Sequence, residues 1–287
     1  MNSVGAVTGA RHLSGEVAVE VERLRVSFAE GQGTGGLTAL DDVSFDVRRG
    51  EFLGVVGPSG CGKSTLVSVL CGLLAYQGSV RIGGDLVRGP HPQVGLVMQE
   101  DSTFPWRTAL RNVEFGLEVR GVPPAERRRK ARALLELVGL RGFEDFHPGQ
   151  LSGGMRQRVA IARTLILDPE LLVMDEPFGA LDEQTRVLLG EELMRIQREL
   201  GQTVVFVTHN IQEAVLLCDR ILLLSARPGR VKAIVTVDLP RPRDSTLLAT
   251  TAFAETVGQV WSVLREEALK TFGAEVTPHP DGSEQRA

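Results

Sequence analysis

The feature that most constrains the fold of this chain is a glycine-rich segment that follows an apolar strand and precedes a helical pattern. Residues 52–56 are apolar or glycine, and Gly57–Thr65 reads G-P-S-G-C-G-K-S-T. From Lys63 to Leu73, apolar side chains recur at helical spacing. A strand, a glycine loop and a helix in this order form a loop whose backbone N–H groups can converge on phosphate. An ordinary glycine turn needs neither the strand nor Lys63, so the segment predicts a phosphate-binding loop.

The residue types in this loop suit a nucleotide with its metal ion. Glycines let the chain wrap so that successive N–H groups face the phosphates, and Lys63 adds a point charge near the β and γ phosphates. The hydroxyl of Ser64 suits Mg²⁺. The predicted nucleotide-binding residues of the loop are Gly57, Pro58, Ser59, Gly60, Cys61, Gly62, Lys63, Ser64 and Thr65.

A second apolar strand, Leu171–Met174, ends in two adjacent carboxylates, Asp175 and Glu176. Neighbouring acids repel each other unless a positive charge lies between them, and Mg²⁺ with a polarised water supplies that charge. A solvated strand end would explain neither the apolar run nor the Pro177 that follows. The pair therefore predicts a site of metal-assisted hydrolysis.

A third motif, Leu151–Arg158, reads L-S-G-G-M-R-Q-R at the start of a helical pattern. Ser152, Gly153 and Gly154 expose backbone N–H groups where the helix begins, and a helix N-terminus attracts phosphate. A chain that already has one phosphate loop does not obviously need a second anion site.

The charge balance argues against nucleic acid as a partner. The 287 residues carry 32 Lys and Arg against 36 Asp and Glu, a formal net charge of −4. The local basic run Arg127–Lys130 is more simply explained as the solvated face of a helix. We therefore expect no nucleic acid partner.

The three cysteines, Cys61, Cys71 and Cys218, have neither a paired framework nor metal-site spacing, which fits a reducing compartment. No run approaches the roughly 18 apolar residues of a membrane helix, and the N-terminus lacks a signal-peptide pattern. If the protein works at a membrane, we expect it to dock on another chain.

Short β-rich apolar runs alternate with helical patterns in the second half of the chain. Thr203–Thr208 and Ile221–Leu224 are such runs, and with the strand before Asp175 they predict a parallel sheet covered on both faces. Between Leu110 and Leu140 the pattern is helical and predicts an inserted helical unit. Apolar residues from Phe253 to Ala268 predict a C-terminal helix packed against its own domain.

In chain order the three motifs resemble the Walker A, signature and Walker B motifs of ATP-binding-cassette (ABC) ATPases. The resemblance covers about Val17 to Asp244. It implies an α/β fold, an ABC-type P-loop NTPase core with an antiparallel β subdomain and an inserted α-helical subdomain. It also implies ATP and Mg²⁺ as cofactors and ATP hydrolysis as the activity. The predicted divisions are a disordered tail over 1–15, an ATPase domain over 16–244 with the helical subdomain at about 100–165, a C-terminal helical extension over 245–275 and a disordered tail over 276–287.

The resemblance implies roles for single residues. Asp175 would organise the Mg²⁺ shell with Ser64 and Gln99, which matches the Q-loop glutamine. Glu176 would orient and deprotonate the attacking water. His209 matches the switch histidine that contacts the γ-phosphate. The implied catalytic residues are Glu176, His209, Gln99 and Lys63.

Two further positions are less closely matched. Phe28 occupies the place of the aromatic residue that stacks on adenine, where the family more often has Tyr, and core packing is the alternative. Gly179–Asp182 resembles the D-loop that joins two subunits across their shared sites. The family often has Ser at the first position of this loop. This chain has Gly179 there, so a contact made by a Ser hydroxyl is not expected, whereas the Asp of the motif is present as Asp182.

The resemblance implies a function for the signature residues. Ser152, Gly153 and Gly154 would serve the ATP held by a partner subunit, so each site would be shared between two chains. A homodimer is the simpler expectation, and a paralogous cassette partner is the alternative.

Several stretches look like the ATPase subunits of the nitrate, sulfonate and taurine import group. Membership of this group would place the chain peripherally on the cytoplasmic face of the plasma (inner) membrane. Its partners would be integral membrane permease subunits and, indirectly, an extracytoplasmic solute-binding protein. Trp106 would contact the permease or belong to a local core cluster. The stretches are Gln99–Asp101, Phe104–Thr108, Glu176–Asp182, Leu224–Arg230 and Asp238–Arg243.

Two other functions compete with an import ATPase. A soluble ABC ATPase in a non-transport role would typically carry two cassettes or long coiled-coil insertions, and neither is seen in the sequence. A module that binds ATP but barely hydrolyses it would not need Glu176 and His209.

Overall fold

The computed structural model describes residues 15–28, 36–99 and 102–275, with side chains described up to residue 269. The predicted disordered tails, 1–15 and 276–287, lie outside the described residues except for Gly15. Glu100 and Asp101 of the import-group stretch also lie outside them.

The described residues form strands and helices in an alternating order. The strands are β1 (Val17–Phe28), β2 (Leu37–Arg48), β3 (Phe52–Val56), β4 (Gln77–Ile82), β5 (Asp85–Leu86), β6 (Val94–Val97), β7 (Leu171–Asp175), β8 (Thr203–Val207), β9 (Arg220–Leu224) and β10 (Val231–Thr236). The helices are α1 (Lys63–Leu70), α2 (Ala109–Val113), α3 (Phe115–Val119), α4 (Pro124–Leu137), α5 (Gly153–Leu165), α6 (Glu183–Leu200), α7 (Ile211–Leu217) and α8 (Thr251–Glu275), with short 3₁₀ turns at Pro148–Gln150 and Ser245–Ala249.

The strands build two sheets. A four-stranded antiparallel sheet has the order β2-β1-β4-β5, and a six-stranded sheet has the order β10-β9-β3-β8-β7-β6. All pairings in the second sheet are parallel except that of β10 with β9. The two sheets and the helices between their strands form the predicted α/β fold.

The central strands are buried along their whole length because both faces of the larger sheet are covered. Phe52 of β3 and Phe206 of β8 belong to a core shared with the helices α5 to α7, and their ring centroids lie 5.7 Å apart. The alternate residues Leu53 and Val205 belong to a second core, shared with α1 and the antiparallel sheet. Because successive strand residues point to opposite faces, each strand feeds both cores.

The helices α2 to α5 lie between β6 and β7 in the chain. Ala131 and Leu135 of α4 are fully buried, and Pro124 occupies its first turn, where a missing N–H costs nothing. Arg128 to Lys130 are exposed, as predicted for a solvated face. Arg127 differs, because its Nε lies 3.3 Å from the fully buried carboxylate of Glu114.

At the end of the chain, α8 packs on its own domain through Phe253, Val260 and Leu264, which are at most 6% exposed. One helix end and one strand differ from the sequence patterns. The helix that follows the phosphate loop ends at Leu70 rather than Leu73, because the chain turns at Gly72 with a φ of +70°. The strand β10 was not predicted, because its residues alternate between half-buried and exposed and give no long apolar run.

Candidate active site

The candidate site lies where three parallel strands end side by side. The phosphate loop follows β3, Glu176 follows β7 and His209 lies two residues after β8. Because β8 lies between β3 and β7 in the sheet, the histidine loop emerges between the phosphate loop and the carboxylates. The carboxyl ends of parallel strands are the usual ligand edge of such sheets.

The phosphate loop is folded around Lys63, the first residue of α1. The Nζ of Lys63 donates to the carbonyl oxygens of Gly57, at 2.9 Å, and Pro58, at 3.1 Å. Gly62 has a φ of +101°, and a β-carbon there would lie 2.6 Å from the side chain of Leu40. Only glycine fits this position, so the loop approaches β2 with its backbone alone.

The side chain of Cys61 is not accessible to a ligand. The thiol is fully buried, and burial raises its pKa, an effect that Lys63 opposes. The N–H of Cys61 donates to the carbonyl of Pro58 at 3.3 Å.

The carboxylate of Asp175 lies next to the hydroxyl of Ser64. Burial, the largest effect, and the neighbouring charge of Glu176 both raise the pKa of Asp175. A hydrogen bond from Ser64 and the charge of Lys63 lower this pKa in part. A half-buried carboxylate beside a hydroxyl and a second carboxylate is a set of hard oxygen donors that a divalent cation would stabilise. Within the described ranges, no three or more His, Cys, Asp or Glu side chains form a metal site on their own. Because Mg²⁺ commonly uses one or two carboxylates together with substrate phosphates, these residues fit that ion.

Glu176 and His209 are in direct contact. The Oε2 of Glu176 lies 2.9 Å from the Nδ1 of His209, and the two side chains are 23% and 62% exposed. The φ of Glu176 is +47°, a left-handed conformation that costs a non-glycine residue of order 1 kcal/mol or more. Its N–H donates to the carbonyl of Val207 at 2.9 Å, so β8 holds the strained residue in place.

Gln99 follows β6 and is exposed. Its Nε2 lies 3.1 Å from the point that a β-carbon on Gly179 would occupy. This proximity is a physical reason for a glycine at position 179, because any larger residue would press on the amide of Gln99. Phe28 ends β1 and is 41% exposed, which leaves its ring accessible and argues against the core-packing alternative.

The signature motif begins α5 as predicted. Ser152 is the N-cap residue, and its exposed hydroxyl accepts a hydrogen bond from the N–H of Met155 at 3.3 Å. A β-carbon on Gly154 would lie 3.0 Å from the Cγ2 of Thr185 in α6. The Ser152 end of the helix is thus open to solvent, while Gly154 packs closely on α6.

Asp182 has a structural role that the sequence interpretation missed. It is the N-cap of α6, where its carboxylate accepts from the N–H of Thr185 at 2.9 Å and from the Thr185 hydroxyl at 2.7 Å. These bonds lower the pKa of Asp182. An Asp directly before the acidic first turn of a helix was the available signal.

The aromatic stretch before α2 divides into two parts. Phe104 packs on Phe115, with ring centroids 4.8 Å apart, and lies 5.0 Å from the guanidinium of Arg163. Trp106, with its ring centroid 5.6 Å from that of Phe104, is 73% exposed. Phe104 therefore belongs to a local cluster, whereas Trp106 is available to a partner.

A phosphate loop, a pair of carboxylates at a strand end and a histidine just after the strand between them define a P-loop ATPase. The chain belongs to the ABC transporter family, whose profile matches residues 40–179. It is 49% identical over 258 residues to an uncharacterized ABC transporter ATP-binding protein of Methanocaldococcus jannaschii, an alignment that covers 90% of this chain and 95% of that protein. It is also 44% identical to the aliphatic sulfonates import ATP-binding protein SsuB of Bacillus licheniformis, over 85% of this chain and 91% of that protein.

Among solved structures, the dimeric post-hydrolysis state of an ATP-binding cassette bound to ADP and Pi is similar, with a TM-score of 0.67 and 31% identity. The match covers 77% of this chain and 100% of that chain. These similarities confirm the predicted family and the predicted ATPase activity. No helix in the part of the chain that the structure describes is both long and apolar enough to cross a bilayer.

Proposed function

We propose that this chain is the ATP-binding and ATP-hydrolysing subunit of an ABC importer. It would energise uptake of a small anion or organic solute, such as nitrate, sulfonate or taurine, through a separate membrane permease. The observation that carries the proposal is the contact of Glu176 with His209 beside an intact phosphate loop, because a module that only binds ATP has no need of it. The name of the SsuB relative supports the solute class.

The proposed chemistry assigns one task to each group. The N–H groups of the loop and the Lys63 ammonium hold the β and γ phosphates, and Phe28 stacks on adenine. Ser64, Asp175 and Gln99 would hold Mg²⁺, which neutralises charge that develops on the phosphates.

Water activation falls to the two residues in contact. Glu176 orients the attacking water and accepts its proton at the carboxylate, and His209 holds that carboxylate while it faces the γ-phosphate. The half-buried position of Glu176 strengthens both interactions relative to bulk water.

The proposed assembly is a homodimer in which each ATP lies between two chains. One chain contributes the phosphate loop, Asp175, Glu176 and His209, and the other contributes Ser152, Gly153 and Gly154, with Asp182 at the junction. The exposed start of α5 and the dimeric state of the similar cassette support this arrangement. ATP closes the dimer and hydrolysis reopens it, because ADP offers the facing helix start less negative charge.

The proposed location is the cytoplasmic face of the membrane, where the chain is held by its permease. The exposed Trp106 supports a contact with a permease segment, and an extracytoplasmic solute-binding protein would act on the same permease from the other side. We also propose that residues 16–244 act as the ATPase domain, with 100–165 as its helical subdomain and 245–275 as an extension.

Reconstitution tests the proposal. The chain is co-purified with its permease and solute-binding protein, the complex is placed in proteoliposomes, and ATP hydrolysis is measured with nitrate, taurine or an alkanesulfonate in turn. One of these solutes should stimulate hydrolysis, and the same complex with Lys63→Ala should not respond. Absence of a copurifying permease, together with hydrolysis that no solute changes, would favour a soluble non-transport ATPase.

A further inference from the structure

The turn Ser225–Arg230 joins β9 to β10 and lies directly against the phosphate loop. Its Gly229 donates an N–H to the carbonyl of Ala39 at 2.8 Å and accepts from the N–H of Asp41 at 3.0 Å. A β-carbon on Gly229 would lie 2.1 Å from the carbonyl oxygen of Cys61. The turn and the phosphate loop therefore touch backbone to backbone, at a distance that only glycine permits.

Arg227, at the middle of this turn, reaches over the loop. Its Nε donates to the carbonyl oxygen of Gly60 at 3.2 Å. A peptide unit is planar, so a bond that holds the Gly60 carbonyl also fixes the Cys61 N–H of the same unit, which closes the loop by donating to the carbonyl of Pro58 at 3.3 Å. Gly60 has a φ of +72° and adds little stiffness of its own, which makes an external support effective.

The turn Ser225–Arg230 is held in place by the C-terminal helix α8. Glu267 of α8 is only 2% exposed, and its Oε2 accepts the N–H of Ala226 at 3.0 Å. Its Oε1 lies 3.2 Å from the Nζ of Lys232 in β10. A buried carboxylate that meets both an N–H and an ammonium group is a firm anchor, because removing either partner leaves a buried charge undercompensated.

We propose that Arg227 is a positioning residue for the phosphate loop, anchored by Glu267, so that the C-terminal helix sets the affinity of the chain for ATP. The inference rests on the proposed assignment of Gly57–Thr65 to ATP. Arg227 acts through the loop, and it also adds a positive charge at the rim of a site for an anionic ligand. The helix α8 then contributes to nucleotide binding as well as to the core.

The test uses the purified full-length chain, with binding of a fluorescent ATP analogue in the presence of Mg²⁺ and initial hydrolysis rates over a range of ATP concentrations. Arg227→Ala should raise Kd and KM by about 3- to 10-fold, with kcat kept within about twofold. Arg227→Lys should recover part of the affinity because it keeps the charge and a donor. Arg128→Ala, which removes an exposed arginine of α4, is the matched control and should leave Kd and KM unchanged.

The anchor is tested in the same assays. Glu267→Ala should raise Kd, as Arg227→Ala does. Glu267→Gln keeps an acceptor for the Ala226 N–H and should raise Kd less. In the double variant Arg227→Ala/Glu267→Ala, the increase in Kd should be smaller than the product of the two single increases, because both residues act on the same turn against the phosphate loop.

Two results would overturn the inference: wild-type Kd and KM in Arg227→Ala, or a loss of kcat at unchanged KM, which is the sign of a smaller folded fraction. Arg227→Met, which keeps the apolar stem, gives the same comparison if Arg227→Ala does not fold. Lys63→Ala separates this inference from the proposed function. If Lys63→Ala abolishes binding while the Arg227 variants bind normally, only the positioning role fails, whereas normal binding by Lys63→Ala removes the loop assignment itself.

Discussion

The Nδ1 of His209 lies 2.9 Å from the Oε2 of Glu176, across the boundary between the neighbouring strands β8 and β7. The residues on either side of His209 are also held by hydrogen bonds. Thr208 hydrogen-bonds to the carboxylate of Glu213, and the side chain of Asn210 accepts the N–H of Glu213 at 3.1 Å, which caps α7. The contact thus joins the strained residue that follows β7 to the hydrogen-bonded loop that follows β8.

Glu176→Gln should reduce ATP hydrolysis by roughly 10²- to 10⁴-fold, because the amide keeps the shape but cannot accept the proton of water. Binding of ATP should persist, since the phosphate loop is untouched. The measurements are phosphate release and equilibrium binding of ATP, with Glu255→Gln on the exposed face of α8 as control. Turnover at the wild-type rate would remove Glu176 from the role of base.

His209→Ala should lower hydrolysis by roughly 10²-fold, because it removes a preorganised hydrogen bond to the catalytic carboxylate. Combined with Glu176→Gln it should add little further loss, since residues that act as a unit are not additive. The measurement is a double-mutant cycle on the rate of phosphate release. Fully multiplicative effects would mean that the two residues act independently.

A mixed dimer tests whether each site is shared. One subunit carries Ser152→Arg and the other carries Lys63→Ala, so both lesions fall on one composite site and the other stays whole. We expect the mixed dimer to hydrolyse ATP while both variant homodimers are inactive. Complete inactivity of the purified mixed dimer would instead favour a signature and phosphate loop that serve the same subunit's ATP.

Trp106→Ala should weaken assembly with the permease and leave the hydrolysis by the isolated chain unchanged, because the indole is 73% exposed. Trp261→Ala, on the 51% exposed indole of α8, is the matched control. Recovery of the permease in a pull-down and the thermal midpoint are the two measurements. A large fall in the midpoint of Trp106→Ala would identify the side chain as part of the local cluster with Phe104.

The three thiols should resist alkylation in the native chain. Burial raises the pKa of Cys61, raises that of Cys71 to about 12 with help from Asp175, and raises that of Cys218 well above the usual thiol range. A raised thiol pKa means that the reactive thiolate is scarce at neutral pH. Labelling with a maleimide should therefore be slow before urea is added and complete after it. Rapid labelling of Cys61 alone would show that the phosphate loop opens.

The sequence predicted the parts of the molecule whose structure depends on local pattern. The strand before Gly57, the helix after Lys63 and the start of α5 at Ser152 are local, because turn chemistry and hydrophobic period decide them. The contact of Glu176 with His209 was not predicted. The family resemblance implied only a separate role for each residue, and 33 residues separate the two in the chain.

Other features depend on tertiary contacts and left no local pattern. Arg243 is 6% exposed and donates to carbonyl groups that include Cys218 at 2.6 Å and Val237 at 2.9 Å, although arginine by itself indicates an exposed residue. The support of Gly60 by Arg227 bridges 167 residues. The strand order was also inaccessible, because sequential spacing does not show which strand lies between which.

That strand order has a consequence for how the protein is made. A nascent chain that has reached residue 180 already contains the phosphate loop, both carboxylates and the signature helix, yet β3 and β7 are not neighbours in the finished sheet. The strand that belongs between them is Thr203–Val207, which leaves the ribosome later. Most of the residues that would hold the nucleotide are therefore synthesised before they can be brought together, and the site is completed only when the last third of the chain inserts its strand.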